Sequence, residues 1–263
     1  MIDKYIIILA VFILLILFAI NKQESFDGKT EDYINNNVKI FIINLLDRPQ
    51  KKEYMINQMN KYNLQYNIFN AINGSQLNIN SLSDSNIIDH TKSFKYMNRP
   101  MRRGEIGCAL SHIFIWNSLL QDTSNIKYYL IFEDDAILVD NFKAKLEVIM
   151  KDIENKEWDV LYLNENCYKH FNNECDGDDF SDTTIKPSRA GYGLYGYVIN
   201  KKFVEKCVNN LQKDAIPSLF PIYMPIDDYL DYKSKVNTFT CIRSKEIIVE
   251  VNRLFDSDTT KIK

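Results

Sequence analysis

The 263-residue chain carries 32 Lys and Arg against 35 Asp and Glu, a formal charge of −3 at pH 7, with 46% hydrophobic and 25% charged residues. That is enough apolar material for one sizeable core and favours a single globular domain. The lysines are scattered and form no basic stripe, which excludes nucleic acid as the main partner.

The first element in chain order is Tyr5–Ile20, "YIIILAVFILLILFAI", a run without a charge or strong polar group. It falls a little short of the roughly 20 residues that span a bilayer, and tolerance of mismatch covers the difference. The reading is an uncleaved anchor over residues 1–22. A cleaved signal peptide is the rival, but no small-x-small cleavage site follows. Lys4 and Lys22 flank the run almost symmetrically, so orientation stays open. Residues 23–37 are polar and read as a stem, leaving 38–263 as the folded domain and a single-pass membrane protein as the expectation.

The domain begins with a strand, "VKIFIINL" (Val38 to Leu45), a turn at "LDRP", and a helix that places Met55, Met59 and Tyr62 on one face. A second strand runs through "YNIFNAI" to Gly74, so the opening is βαβ and favours a parallel sheet. A polar stretch, expected to be irregular, precedes "GEIGCALSHIFIWNSLLQ", whose Ile106, Leu110, Ile113 and Leu120 keep helical spacing. "YYLIF" is the third strand. Asp140 is the expected N-cap of the helix carrying Phe142, Leu146, Ile149 and Ile153. A strand at "WDVLYLN", a surface loop at "NNECDGDDFSD", a strand running into a helix at "YGYVINKKFVEKCVNNL", and strand material at "CIRSKEIIVEV" complete the domain.

Chemistry concentrates at the end of the third strand, where Glu133, Asp134 and Asp135 stand side by side. Unit charges about 4 Å apart repel by roughly 1 kcal/mol in water and several-fold more where the dielectric falls. Such a trio is either a solvated turn or needs a cation. The carboxyl end of a strand in an α/β sheet opens onto the ligand crevice, and carboxylates there suit a hard divalent ion bridging a phosphorylated substrate. Ser111 and His112 suggest a hydrolase pair, but adjacent helical residues point in different directions, so they do not form a nucleophile and its base. His112 reads as a polar packing residue and Glu105 as a carboxylate at a helix start. Five cysteines show no C-x-x-C spacing and exclude a structural zinc site, while Cys167 and Cys175 share one segment and can pair in an oxidising lumen.

Several segments together resemble glycosyltransferase family 25, which includes lipooligosaccharide (lipopolysaccharide biosynthesis) and procollagen galactosyltransferases. "FIINLLDRPQKK" is similar to its I-N-L-x-x-R-P-x-R opening, and "FNAINGSQL" to the segment that usually ends Ala-x-Asp-Gly. "RRGEIGCALSHIFIW" resembles its G-E-x-G-C-x-x-S-H block and "LIFEDDAIL" its E-D-D block. "GYGLYGYVINKKFVEK" and "PIDDYL" follow in order, so the resemblance runs roughly from Lys39 to Tyr232. Lys51 departs from the family's Arg, keeping charge but losing the fork. Asn73 replaces its Asp.

The resemblance implies a GT-A-like, Rossmann-type α/β nucleotide-sugar domain and a hexosyltransferase using a UDP-sugar, with UDP-galactose first and glucose next. It implies an Mn2+ or Mg2+ ion on Asp135 and Asp134, with Glu133 near the ribose or a structural partner. Asn44, Leu45, Arg48, Lys51, Ala71 and Glu105 are the further nucleotide-sugar contacts expected. Transfer with inversion needs a carboxylate to take the acceptor's hydroxyl proton, and Asp227, with Asp228 beside it, is assigned that task; the rival is a helix cap. The acceptor is a glycan, a lipid-linked saccharide or a hydroxylysine. Two alternatives stay open: an inactive, membrane-tethered glycan-binding protein, and a metal-dependent nucleotidyl or phosphoryl transferase, although no G-x-x-x-x-G-K-[ST] loop is present.

Overall fold

The computed structural model describes residues 32–165, 177–188, 193–209 and 221–255. Tyr5–Ile20 and the Cys167–Cys175 pair lie outside them. Among the described residues, no helix is long and apolar enough to cross a membrane.

A five-residue helix, α1 (Tyr33–Asn37), is capped by the Asp32 carboxylate and leads directly into β1 (Val38–Asn44). Pro49 then opens α2 (Pro49–Lys61), where its missing N–H costs nothing and its φ suits the first turn. β2 (Asn67–Asn70) follows, then a 3-10 turn at Gly74–Gln76. The stretch expected to be irregular holds two short helices, α3 (Ile79–Asp84) and α4 (His90–Met97), started by Asn78 and Asp89 side chains that accept from the first-turn amides. The long helix α5 spans Arg103–Gln121, and β3 spans Tyr128–Glu133.

Three further differences from expectation follow. Asn141, not Asp140, caps α6 (Phe142–Ile153), because the chain enters through a left-handed residue (φ 59°). Asp140 is instead an exposed partner of Lys61. The acidic loop contributes an exposed edge strand, β6 (Gly177–Asp179), paired with β7 (Thr184–Pro187). The C-terminal strand material divides into β9 (Cys241–Ser244) and β10 (Val249–Val251), which join different sheets. The remaining elements are β4 (Ala136–Leu138), β5 (Val160–Tyr162), β8 (Gly196–Asn200), α7 (Lys201–Asn209) and α8 (Ile226–Lys235).

The main sheet has eight strands in the order β2-β1-β3-β8-β5-β9-β7-β6. Its opening strands β2, β1 and β3 are parallel, as the βαβ pattern requires, while β8 runs antiparallel to both β3 and β5. The sheet is therefore mixed. Period-two alternation sends Ile40, Ile42, Leu130, Phe132 and Val198 to one face, with Met55, Met59, Phe142 and Leu146. Ile43, Tyr129, Ile131, Tyr197 and Ile199 face the other layer, with Trp116, Phe203 and Leu230. Both faces are buried under helices, which is why the strands read as near-continuous apolar runs.

Candidate active site

Successive strands β1 and β2 pair directly, and β3 then adds on the other side of β1. This reversal opens a crevice at the carboxyl ends, where ligands bind in such sheets. The register sets Ile43 opposite Glu133 and Asn44 opposite Asn70, so the three strands end at one level. After Glu133 the chain leaves the main sheet in a turn at Asp134 and Asp135, because β4 pairs with β10 in a second sheet. Gln58 clamps this exit: its amide donates to the Ala136 carbonyl (2.9 Å) and accepts from the Leu138 amide (2.7 Å). The Asn252 amide donates to the Asp135 carbonyl at 2.7 Å. The turn thus borders a cleft of about 690 Å³.

The three carboxylates coexist because each has a different environment. Asp134 lies 3.3 Å from the Lys51 ammonium and accepts from the Asn44 amide at 2.7 Å. Burial raises its pKa, and these partners oppose the rise. Glu133 lies 3.4 Å from His112 Nε2. The buried Oδ1 of Asp135 has no hydrogen-bond partner among the described residues. Burial, then the neighbouring Glu133 charge, pushes the Asp135 carboxyl up to about 7, with Lys51 opposing and Asp134 adding. A buried carboxylate oxygen without a donor, beside two more carboxylates, fits the hard oxygen donor set of a divalent cation.

The facing wall is basic. Leu45, Arg48 and Ala71 line the cleft, together with Arg99, Arg102 and Arg103 from the start of α5 and the segment before it. Helix α5 approaches the Ile72–Gly74 backbone so closely that a Cβ on Gly107 would meet the Ile72 carbonyl oxygen at 2.4 Å, and one on Gly74 would meet that of Arg103 at 1.9 Å. Ser111 fastens the contact, accepting from the Ile72 amide (2.9 Å) and donating to the Gly107 carbonyl (2.7 Å). The serine that suggested a nucleophile is a structural pin.

Three of the expected nucleotide contacts also have partners within the protein. Glu105 is not in the cleft lining: Arg99 forks onto both its oxygens at 2.7 and 2.9 Å, and it accepts from the Arg102 amide at 2.7 Å. It starts the helix and holds Arg99, the capping role its position suggested. Asn44 is 2% exposed, and its amide also donates to the Arg48 carbonyl, so it shapes the turn and orients Asp134. Lys51 borders the cleft, but its ammonium is paired with Asp134 and lies over the Phe255 ring.

Asp227 and Asp228 occupy the first turn of α8, whose N-cap is Pro225, so neither is the cap. Asp227 accepts from the Asp228 amide at 3.0 Å and the Gly193 amide at 3.4 Å. Burial, then Asp228, pushes its carboxyl up to about 7 despite those bonds, and Glu133 contributes to the same rise. Asp227 does not line the cleft with the acidic trio. The Glu105 hydrogen bond first, and the Asp228 charge last, raise the pKa of Arg99.

The reading by residue type overlooked Arg99 and Arg102, and a network running from His112 to Tyr197 and Trp116. "RRGE" was legible as a basic pair ahead of a helix, and the i, i+4 spacing of His112 and Trp116 put them on one face. Their meeting with Tyr197 requires β8 beside β3. Among the described residues, Cys108, Cys207 and Cys241 are free thiols.

A profile described as glycosyltransferase family 25 (LPS biosynthesis protein) matches residues 37–230. Procollagen galactosyltransferase 2 of Mus musculus is 32% identical over 129 residues, 48% of this chain and 20% of that protein. Procollagen galactosyltransferase 1-A of Xenopus laevis is 28% identical over 196 residues, 73% of this chain and 30% of that one. The probable inactive glycosyltransferase 25 family member 3 of Bos taurus is 31% identical over 129 residues, covering 48% and 21%. The chain therefore spans about a fifth to a third of the length of these relatives. The profile covers most of the folded domain, and this chain belongs to glycosyltransferase family 25.

Proposed function

We propose that the domain is a GT-A-like hexosyltransferase that takes its sugar from a UDP-sugar and transfers it with inversion. The observation that carries this is Asp135, whose unpartnered, buried carboxylate oxygen stands beside Glu133 and Asp134 in a cleft rimmed by Arg48, Arg99, Arg102 and Arg103. An acidic floor facing a basic rim suits a diphosphate and a cation together.

Asp135 first, and Asp134 second, would hold Mn2+ or Mg2+, which when bound supplies Lewis-acid stabilisation of the departing diphosphate. Lys51 and Asn44 keep Asp134 oriented. Arg48 and Arg102 serve the phosphates, Leu45 and Ala71 border the nucleoside, and Glu133 accepts from a hydroxyl of the donor. Asp227 accepts the proton of the acceptor hydroxyl as its oxygen bonds to the anomeric carbon; a carboxyl at about 7 is matched to that task near neutral pH. Asp228 adds its charge beside Asp227, while Glu105 positions Arg99. Galactose is the donor sugar that the relatives' names favour, and the acceptor is a glycan, a lipid-linked saccharide or a hydroxylysine. Tyr5–Ile20 would tether the domain to a membrane.

A second reading is favoured by one observation: some relatives are named inactive. On that reading the domain binds a glycan or nucleotide without turnover. Release of UDP from a panel of UDP-sugars, with Mn2+, Mg2+ or chelator, separates the two. Metal-dependent release from one sugar establishes the transferase and its donor. Nucleotide binding without release, with acceptors present, leaves the binding protein; absence of nucleotide binding by calorimetry overturns the transferase reading.

A further inference from the structure

Behind Glu133 lies a buried line of polar groups for which packing alone has no use. Trp116 and His112, one turn apart on α5, both meet the hydroxyl of Tyr197 on β8; all three residues are 0% exposed. Trp116 Nε1 lies 2.8 Å from that oxygen and His112 Nδ1 lies 2.7 Å from it. At the other edge of the imidazole, Nε2 faces Glu133 Oε1 at 3.4 Å, and the Cys108 thiol lies 3.9 Å from the same oxygen.

Hydrogen-bond arithmetic gives this line a direction. An indole N–H only donates, so the Tyr197 oxygen accepts from Trp116. The phenol hydrogen must then go to His112 Nδ1, which has to be bare. Burial pushes the Tyr197 hydroxyl well above its ordinary pKa, with the Trp116 bond opposing and Cys108 and Glu133 adding, so it keeps that hydrogen. A bare Nδ1 on a neutral ring leaves the proton on Nε2, aimed at Glu133. The opposite tautomer, or an imidazolium, would place two donors on the Tyr197 oxygen and leave the phenol hydrogen without an acceptor among the described residues. An unmade bond at a fully buried group is costly.

We propose that His112 is a positioning residue held as the Nε2–H tautomer by the donor chain Trp116 to Tyr197 to His112, and that it fixes Glu133 by Oε1 so that Oε2 accepts a hydroxyl of the donor substrate. The last clause rests on the function proposed above. Glu133 keeps 28% of its side chain exposed and borders the cleft, and its Oε2 has no hydrogen bond among the described residues. The same arithmetic argues against a metal on Cys108, His112 and Glu133, whose ligand atoms lie within 4.8 Å of one another. Ligation through Nε2 would require the proton on Nδ1, where the Tyr197 hydroxyl already donates.

The test uses the full chain in detergent, labelled with 15N at its three histidines, with Mg2+ present and H112Q assigning the His112 signals. The expected spectrum has a protonated Nε2 and a bare Nδ1, with the preference weakened in Y197F. A protonated Nδ1, an imidazolium at neutral pH, or an Nε2 signal displaced by added Zn2+ overturns the proposal.

Kinetics provide a second arm. Gln carries an N–H at the reach of Nε2 and Leu does not. Donor KM in UDP-sugar hydrolysis is therefore expected to rise about tenfold in H112L and to stay within about threefold of wild type in H112Q. Equal KM values in the two variants overturn the positioning role, and Y197F, expected to raise donor KM by about fivefold, reports even if H112L misfolds. Absence of turnover in the wild type would instead remove the transferase reading, while the histidine spectrum still decides the tautomer.

Discussion

Lys51 Nζ sits 3.3 Å from Asp134 Oδ1, with the two side chains only 10% and 13% exposed. This pair joins the first turn of α2 to the acidic turn after β3, and it makes the third carboxylate of the cluster tolerable. Removing the cation should leave a nearly buried charge uncompensated. K51M is expected to lower stability by roughly 3 kcal/mol, and a K51M/D134N double variant to recover much of that loss, measured by urea unfolding. Equal stability of K51M and wild type would refute the pair's structural role.

Asp135 presents the opposite case. Because its Oδ1 has no partner, D135N should fold with stability close to wild type while abolishing metal-dependent release of UDP. Unfolding curves together with a UDP-release assay check both halves. Retained turnover would remove Asp135 as the ligand.

Ser111 separates the transferase from a hydrolase with a serine nucleophile. S111A loses the acceptor for the Ile72 amide and should cost about 1–2 kcal/mol, yet retain most of its turnover. Mass spectrometry of enzyme quenched during turnover should find no adduct on Ser111. A covalent intermediate there would overturn the assignment.

Gly107 allows α5 to rest on the Ile72 backbone, where a Cβ would meet a carbonyl oxygen at 2.4 Å. G107A should therefore destabilise by about 2–3 kcal/mol, since backbone must shift to accept it. Turnover should fall as well, because the shift moves Arg102 relative to the acidic turn. A thermal melt and the UDP-release assay report the two effects.

Asp227 has a pH signature. Its carboxyl is raised from 3.8 to about 7 on folding, first by burial and next by Asp228. The folded state thus binds more protons than the unfolded state between those values. The sign follows: the favourable contribution of the protonated carboxyl is complete below about pH 4 and is lost as pH rises through 7. D227N should gain stability relative to wild type at pH 8 and not at pH 4. If Asp227 is the base, wild-type transfer should rise with pH through about 7, and D227N should lack both the rise and most of the activity.

Much of the site's chemistry was legible in order and type alone. The run from Tyr128 to Phe132 ends in three carboxylates, and a strand end followed by such a cluster marks a crevice wherever the sheet is parallel. The βαβ opening correctly supplied the parallel strands β2, β1 and β3. The turn that carries Asp134 and Asp135 could not be foreseen as an exit into a second sheet, because β10 lies more than a hundred residues further along the chain.

What the sequence by itself determined was therefore local: strand and helix periods, Pro49 at a helix start, and a charge cluster that needed compensation. Which groups compensate was decided by the tertiary structure. Lys51 lies on Asp134 because α2 returns against the turn, and Tyr197 reaches His112 because β8 inserts beside β3. The physical reason is range. Periodicity and capping depend on neighbours within a turn or two, whereas the pairing of a buried charge or hydroxyl depends on which distant strand the sheet places within about 3 Å of it.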